Sequence, residues 1–364
     1  MRILCLMTDA FGGRGGIAQY NRDFLNALSG IEKVDKVIVL PRLAADEEFQ
    51  LPEKIVQLKP VFHPAAYSLR ALWISLTRGP FDLIFCGHIR MSLLAGLVSL
   101  VMRKPLWLQI HGIEAWAKAG RVETFFIKRA VVILSVSRFS RRKILSWANV
   151  DPAQVKVLSN AVDLSRFKPG AKPKKLLEQW GLSNCQVMLT VSRLDASERY
   201  KGHSLVIKAM PELLKSHPQL RYVIAGSGGD QLFLKCLAKE CGVQNEVIFL
   251  GQIQESLKPE LYHLADVFVM PSKKEGFGIV FLEAMASGVP VIAGNKDGSV
   301  DPLRDGENGR LVNPDDLHEL TAAIEEQLSG NEYKRVSATQ FSFSNFKNHL
   351  SNILKSVSHD TRSA

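Results

Sequence analysis

Several features that point to particular protein classes are missing from this 364-residue sequence. It contains no Asp-x-Asp, no Cys-x-x-Cys and no cluster of His and Cys at the spacing of a metal site. Its 5 cysteines are odd in number and mostly lie in apolar segments. Buried, reduced thiols in a cytosolic protein are therefore expected, rather than a disulfide framework.

A long hydrophobic run is also missing. The longest apolar stretch, residues 92–102, has 11 residues, whereas a membrane-spanning helix needs about 20. The first apolar run, residues 1–7, is followed at once by Asp9 and a glycine-rich loop. This arrangement is typical of a first β-strand and not of a signal peptide, so we expect a cytoplasmic protein.

Acidic residues are scarce in the first half of the chain. Residues 1–170 hold 24 Lys and Arg against 13 Asp and Glu, a net of +11, whereas residues 171–364 hold 22 against 23. The basic half indicates an anionic partner, namely a membrane surface, a lipid-linked diphosphate or a nucleic acid. A solvated surface of Lys and Arg is an equally good interpretation.

Short apolar segments, such as the strands predicted at residues 83–86 and 106–110, alternate with helical patterns, and this alternation restarts once. The pattern predicts parallel sheets covered on both faces by helices. Residues 167–173 have the Pro, Gly and Lys content of a linker. The sequence therefore predicts an α/β protein of two Rossmann-like domains, residues 1–168 and 169–340, facing across a central cleft where ligands bind beyond the strand ends.

The first candidate site is the glycine-rich loop after the first strand. Its adjacent glycines let the backbone approach an anion closely. Gly13, Gly15 and Ala18 also fit a dinucleotide fingerprint, although weakly. Because the second strand is followed by Arg42 and not by an acid, an NADP-dependent oxidoreductase remains open.

Polar side chains follow two later strands. His111, next to Gly112, can serve a ligand as a hydrogen-bonding or charge-stabilising group, or can simply cap its strand. Arg193 and Lys201 lie at neighbouring loop ends, where two fixed cations can grip a diphosphate. A surface ion pair of Arg193 with Asp195 or Glu198 is the simpler alternative.

Glu275 and Glu283 stand eight positions apart around a glycine turn and the start of a helix predicted over residues 281–287. The N–H groups and dipole of that helix favour an anion, and the carboxylates suit sugar or ribose hydroxyls. Two acids with no shared ligand are the alternative. Because no Asp-x-Asp is present, Arg193, Lys201 and the helix N-terminus must neutralise any leaving diphosphate.

Taken together, these motifs resemble the retaining glycosyltransferases of family 4, which have the GT-B fold. The resemblance follows the chain in order through Gly15-Gly16, His111-Gly112, Arg193…Lys201-Gly202, Gly226-Ser227-Gly228, Glu275-x7-Glu283 and Asp305-Gly306-Glu307-Asn308-Gly309. It implies a nucleotide-sugar donor in the C-terminal domain and an acceptor in the N-terminal domain. It also implies that the tail, residues 341–364, crosses back onto the N-terminal domain.

The resemblance further implies roles for single residues. Glu275 would contact the transferred sugar, His111 would lie near the anomeric centre, and Arg193 and Lys201 would hold the diphosphate. Donor binding would also involve Gly16, Gly226, Gln252, Ile253, Phe277, Gly278, Ile279 and Glu283. Among these, Glu283 would bind the ribose, and the loop at 252–253 the base. Residues 297–301 depart from the Gly-Gly-x-x-Glu of the family.

We therefore predict a retaining, metal-independent transferase with no cofactor. It would move a hexose, of glucose type and from a UDP-sugar, to a growing polysaccharide or lipid-linked oligosaccharide. The alternatives are a GDP-mannose-dependent mannosyltransferase of the same fold, an NADP-dependent oxidoreductase, and a non-catalytic nucleotide-sugar binder or epimerase. No nucleic-acid partner is expected, and the basic N-terminal domain predicts peripheral contact with anionic lipid at the cytoplasmic membrane face.

Overall fold

The computed structural model describes residues 1–43, 50–330 and 338–360, the last four of these by backbone alone. They form two units, Met1–Ala161 with Phe341–Ala364, and Val162–Gln340. The first boundary falls earlier in the chain than the predicted one after residue 168. Among the described residues, no helix is both long and apolar enough to cross a bilayer.

The first unit is built on a parallel sheet with the strand order β3-β2-β1-β4-β5-β6-β7. Its strands are β1 (Arg2–Met7), β2 (Lys36–Pro41), β3 (Ile55–Gln57), β4 (Leu83–Cys86), β5 (Leu106–Ile110), β6 (Val132–Ser135) and β7 (Val155–Val157). Its first five helices are α1 (Gly16–Ser29), α2 (Pro64–Thr77), α3 (Ser92–Met102), α4 (Arg121–Lys128) and α5 (Arg138–Ala148).

The two faces of this sheet carry different helices. The chain runs outward from β1 to β3, crosses back to β4 and then continues to β7. Because parallel crossovers are right-handed, α1 lies on one face and α2 to α5 lie on the other. Ile74 of α2, Val98 of α3 and Ile144 of α5 share one core with the strands. On the α1 face, Phe24 stacks on Phe85 of β4.

The second unit repeats this construction with the strand order β10-β9-β8-β11-β12-β13. Its strands are β8 (Gln186–Val191), β9 (Leu220–Ala225), β10 (Val247–Gly251), β11 (Val267–Met270), β12 (Val291–Gly294) and β13 (Arg310–Val312). Its helices are α6 (Lys174–Gln179), α7 (His203–Ser216), α8 (Gln231–Glu240), α9 (Lys258–His263), α10 (Ile279–Ala286) and α11 (Leu317–Leu328).

The predicted fold class, two parallel α/β units, is confirmed. The sequence missed β3, which has only three residues and pairs with β2 alone at the sheet edge. The final helix, α12 (Phe343–Asp360), packs on α1 within the first unit. Helix α10 begins at Ile279, two residues before the predicted start, so the helix N-terminus lies directly against the glycine turn.

Candidate active site

The loops that follow β8 and β11 lie side by side in the second unit. These two strands are neighbours, yet the chain leaves them in opposite directions along the sheet. Ligands of open parallel sheets bind beyond the strand ends at such a switch point. The loops touch directly, since Lys273 N donates to Tyr200 O at 2.9 Å. A Cβ on Gly202 would lie only 2.6 Å from Pro271 O.

One acid holds both predicted diphosphate-binding cations. Glu198 forms ion pairs with Arg193 through Oε1 and with Lys201 through Oε2, the latter at 2.7 Å. The side chains of Lys201 and Glu198 are 12% and 11% exposed, whereas that of Arg193 is 75% exposed. The structure therefore brings Arg193 and Lys201 together. It also shows that the ion pair with Glu198, the alternative interpretation of Arg193, is formed.

The glycine turn after β9 positions the loop that carries Arg193. Gly226 has a φ of +142°, and a Cβ there would lie 1.7 Å from Ser192 O. A Cβ on Gly228 would lie 2.0 Å from Leu194 O. The Gly226 N–H is already used, because it donates to Gly251 O at 2.7 Å. In this structure, Gly226 therefore acts on the site through close packing of backbone segments.

The segment after β12 forms hydrogen bonds with the main chain of Glu275. Asp297 is buried and accepts hydrogen bonds from Glu275 N at 2.7 Å and Ser299 N at 2.9 Å. Gly298 N donates to Glu275 O at 2.8 Å, and a Cβ on Gly298 would lie 2.1 Å from Gly276 O. Residues 297–299, where the sequence departs from the family pattern, thus fix the main chain of Glu275.

The carboxyl of Glu275 has an unusual affinity for protons. Burial raises its pKa to about 7. The positive charge of Lys201 opposes this shift, and the negative charges of Asp297 and Glu198 add to it. Near neutral pH the carboxyl is therefore present in both forms, so it both donates and accepts hydrogen bonds.

The turn into α10 leaves a helix N-terminus beside Glu275. Gly278 has a φ of +88°, and a Cβ there would lie 2.4 Å from the Phe281 ring. Phe277 is buried, and Ile279 is partly exposed at the first helical position. The first N–H groups of such a helix lack partners within the helix and carry the positive end of its dipole. The turn therefore suits an anionic group.

Glu283, one turn into α10, is held by two side chains of α9. The Tyr262 hydroxyl donates to Oε2 at 2.7 Å, and Lys258 Nζ lies 3.4 Å from Oε1. The Glu283 side chain is only 7% exposed. Burial and the negative charge of Glu283 raise the pKa of Tyr262 well above its usual range, so the phenol stays a donor. Gln252 and Ile253 follow β10, which lies two strands from β8, so they lie beyond the carboxyl ends of the strands as the β8 loop does.

The first unit has its own switch point, between β1 and β4. Gly16, the first residue of α1, is exposed next to Gly15, whose φ is +91°. His111 follows β5, one strand further along. Its Nε2 lies 2.9 Å from Gly87 O, so Nε2 carries the proton, because a carbonyl only accepts. Burial lowers the pKa of His111, although Glu114 opposes this, and the ring is neutral at pH 7.

Two aromatic contacts set the position of the His111 ring. Tyr20 of α1 meets it edge-on, with ring centroids 5.2 Å apart, and donates its hydroxyl to Gln109 Oε1 at 2.9 Å. Phe346 of α12 meets Tyr20 in the same way at 5.7 Å. Helix α12 thus supports this site through Tyr20. The ring of His88 lies 6.0 Å from His111, and burial lowers its pKa to about 4.

Several residues of both sites were not among the predicted site residues. Glu198 and Asp297 stood outside the predicted set, and Tyr262, Lys258 and His88 carried no motif. His88 had a usable signal, because it follows a predicted strand directly after Gly87, and Glu198 had one as an acid near Arg193 in sequence. The others depend on contacts between elements that no local pattern shows.

Two family models match the chain. Glycosyltransferase Family 4 matches residues 14–166, and Glycosyl transferases group 1 matches residues 175–340. A GDP-mannose-dependent alpha-(1-6)-phosphatidylinositol monomannoside mannosyltransferase of Mycolicibacterium smegmatis is 29% identical over 346 residues, covering 90% of this chain and 89% of that protein. A D-inositol 3-phosphate glycosyltransferase of Acidothermus cellulolyticus is 31% identical over 194 residues, 50% of this chain and 42% of its own length.

Solved structures show the same fold. Anabaena Alr3699/HepE, crystallised in complex with UDP, has a TM-score of 0.79 at 23% identity, covering 98% of this chain and 100% of its own. Sucrose-phosphate synthase from Thermosynechococcus elongatus has a TM-score of 0.78 at 20% identity, covering 99% and 100%. Both similarities extend over the two units.

Proposed function

Because this chain belongs to the group 1 glycosyltransferases of family 4 and has the GT-B fold, we propose that its second unit binds a nucleotide-diphosphate hexose and its first unit binds the hydroxyl acceptor. One observation carries the donor assignment. Arg193 and Lys201, both held by Glu198, lie at the same switch point as Glu275 and the α10 N-terminus.

The diphosphate would be held by these cations and by the helix N-terminus. Lys201 is nearly buried and already fixed, so it loses little freedom when a phosphate binds. Arg193 is mostly exposed and can turn from Glu198 to a phosphate oxygen. Their joint positive charge, with the dipole of α10, would stabilise the leaving diphosphate. This arrangement supports transfer without a metal, which remains a prediction.

The two glutamates would contact different parts of the donor. Glu275, with a pKa of about 7, both donates to and accepts from sugar hydroxyls near neutral pH. Each oxygen of Glu283 contacts one side chain of α9, and a carboxylate oxygen has a further lone pair for a ribose hydroxyl. Tyr262 and Lys258 would therefore orient Glu283 rather than block it.

For the chemical step we propose retention of configuration by attack on the face from which the diphosphate leaves. The leaving phosphate would accept the proton of the acceptor hydroxyl, so no separate protein base is needed. The main chain and the ring of His111 would lie near the anomeric centre and stabilise the positive charge that develops there. The fixed cations support this mechanism, because they stabilise the negative charge of the departing diphosphate.

The donor base and sugar have two candidates. The sequence predicts a UDP-hexose, with GDP-mannose as the alternative. The relative that covers nine tenths of this chain is named a GDP-mannose-dependent mannosyltransferase, so we propose GDP-mannose as the first donor to test and UDP-glucose as the second. The phosphatidylinositol monomannoside in the same name supports a lipid-linked acceptor over a free polysaccharide.

Thermal-shift titration separates these candidates. The cognate donor at 100 times its dissociation constant should add about 2.7 kcal/mol of stability. Donor hydrolysis or transfer should then continue in EDTA, and NMR of the product should show the anomeric configuration of the donor sugar. Saturable stabilisation by NADP, with none by GDP-mannose, UDP-glucose or their nucleotides, would contradict the proposal.

A further inference from the structure

Exposed hydrophobic residues are concentrated on one side of the first unit. Among the described residues, nine large hydrophobic side chains of α2, α3 and α4 are exposed. The described part of the second unit has three such residues, Leu232, Phe233 and Leu317. The three helices lie on the same face of the sheet, and α3 packs against both α2 and α4. We call the outer surface of α2, α3 and α4 the apolar helix face.

Helix α2 is apolar on the side that faces water. Leu69, Trp73 and Leu76 are 70%, 47% and 67% exposed and recur at the three- and four-residue spacing of one helix side. Tyr67 and Ile74, on the opposite side, are buried in the core. The outward residues are therefore additional to those that the fold needs. The one charged residue of α2, Arg70, lies over the Trp73 ring at 4.8 Å.

Helices α3 and α4 continue this surface. Leu97 and Val101 of α3 are 44% and 58% exposed, and Phe125 of α4 is 52% exposed. The helices are close enough that a Cβ on Gly96 would lie 2.1 Å from the Phe126 ring. Helix α3 has no charged residue. The exposed apolar side chains therefore form a patch that spans several helices, and such patches mark interaction sites.

The part of the chain that carries this face has mostly positive charges. Residues 62–149 contain 13 Lys and Arg but only 3 Asp and Glu. Each of these acids accepts a hydrogen bond from a backbone N–H: Asp82 from Arg2, Glu114 from His111 and Glu123 from Gly120. Arg121 and Lys128 of α4 are exposed, and neither forms an ion pair with another described residue.

We propose that the apolar helix face binds the surface of an anionic phospholipid bilayer, with its leucines and aromatic residues among the acyl chains and its cations at the lipid phosphates. Exposed apolar residues, an exposed Trp and exposed Lys and Arg on the same helices are features of an interfacial membrane site. A second copy of the chain fits poorly, because a symmetric contact would bring two strongly basic surfaces together. This inference concerns a surface separate from the donor site, and its test needs no donor.

Vesicle co-sedimentation tests the proposal directly. The protein should bind phosphatidylglycerol-containing vesicles at low ionic strength, and binding should fall with added salt or in pure phosphatidylcholine. The double substitution Leu69→Glu and Leu97→Glu should lower the partition coefficient by about tenfold or more, because two apolar anchors are lost and two anions are added. Leu232→Glu is the matched control, since Leu232 is 72% exposed in the second unit, and should change binding less than twofold.

Further variants test the role of the basic residues in vesicle binding and the insertion of Trp73 into the bilayer. Arg121→Gln and Lys128→Gln should each lower the partition coefficient about fivefold, from roughly 1 kcal/mol per cation near an anionic surface. Lys208→Gln, on α7 of the second unit, should not. The emission of Trp73 should shift to shorter wavelength on vesicles, and a Trp73→Phe variant should lose that shift. Melting temperatures no lower than that of the wild type would show that these exposed substitutions leave the fold intact.

Three results would overturn the proposal. The first is failure of the wild type to bind anionic vesicles at low ionic strength. The second is equal binding by the wild type and the double leucine variant. The third is a dimer in analytical ultracentrifugation that the double leucine variant dissociates while vesicle binding stays the same, because the face would then join two copies of the chain.

Discussion

The two units are built from the same strand and helix alternation, yet they use charge in opposite ways. At the strand ends of the second unit, Lys201 lies against Glu198, Lys258 lies against Glu283, and Asp297 is buried behind Glu275. In the first unit, residues 62–149 contain 13 basic residues but only 3 acidic ones. The same architecture therefore carries cations paired with acids in one unit, which we call compensated, and an excess of positive charge in the other, which we call the uncompensated surface.

The difference teaches what each charge can do. A cation held by a buried acid has a fixed position, so it can stabilise charge that develops at one point. A cation on an open surface has no fixed geometry, but many together attract an extended anionic surface. The following predictions test whether the two units divide the work in this way.

The largest expected effect is the loss of a compensated cation in the second unit. Lys201→Ala should lower kcat by about 10²–10³, because the leaving diphosphate loses a fixed positive charge. The control is Lys296→Ala, which removes an exposed lysine that pairs with Asp315 at 2.7 Å and should change kcat less than twofold. Initial rates with the cognate donor measure both. Equal kcat values for the two variants would contradict the assignment of Lys201.

The next effect is a pH dependence that belongs to Glu275. Its pKa is raised from 4.5 to about 7, so between these values the folded protein binds more protons than the unfolded chain. The contribution of Glu275 to stability should therefore be fully present below pH 4.5 and be lost as pH rises to 7, by at most about 3 kcal/mol. Glu275→Gln should flatten this part of the stability curve, whereas the exposed Glu212→Gln should not. Denaturant titrations at several pH values decide between them.

A smaller effect is expected where glycine allows two backbone segments to meet. Gly226→Ala should destabilise the protein by about 2 kcal/mol or more, since φ is +142° and the new Cβ would meet Ser192 O at 1.7 Å. Gly229→Ala is the control, because no atom lies within 4 Å of a Cβ there. Thermal unfolding measures both changes. Similar melting temperatures for the two variants would show that Gly226 does not limit the approach of the Arg193 loop.

The smallest effect concerns the uncompensated surface of the first unit. Arg121 begins α4, next to the positive end of the helix dipole. Arg121→Gln should therefore stabilise the protein by about 0.5 kcal/mol at low ionic strength, and less when salt screens the charge. Lys208→Gln, inside α7 of the second unit, should give no such gain. Destabilisation by Arg121→Gln at low salt would indicate that this arginine has a structural partner.

The sequence predicted much of the fold and part of the candidate site. Strand β5 was placed from residue 106 to 110, as the structure has it, because buried strands of a parallel sheet read as continuous apolar runs. Strand β3 was missed because three residues at an edge carry no such run. The pairing of Arg193 with Glu198 stood only as an alternative, since spacing alone does not show which way an exposed arginine turns.

The sequence by itself determined which residues follow strand ends and where glycine permits a tight turn, because periodicity and glycine content are local properties. It therefore named Lys201, Glu275 and Glu283. Only the tertiary structure decided that β8 lies beside β11, that one acid holds two cations, and that leucines of α2 and α3 face outward. These features depend on strand order and on which helix side the core covers, and both are set by packing between segments distant in sequence.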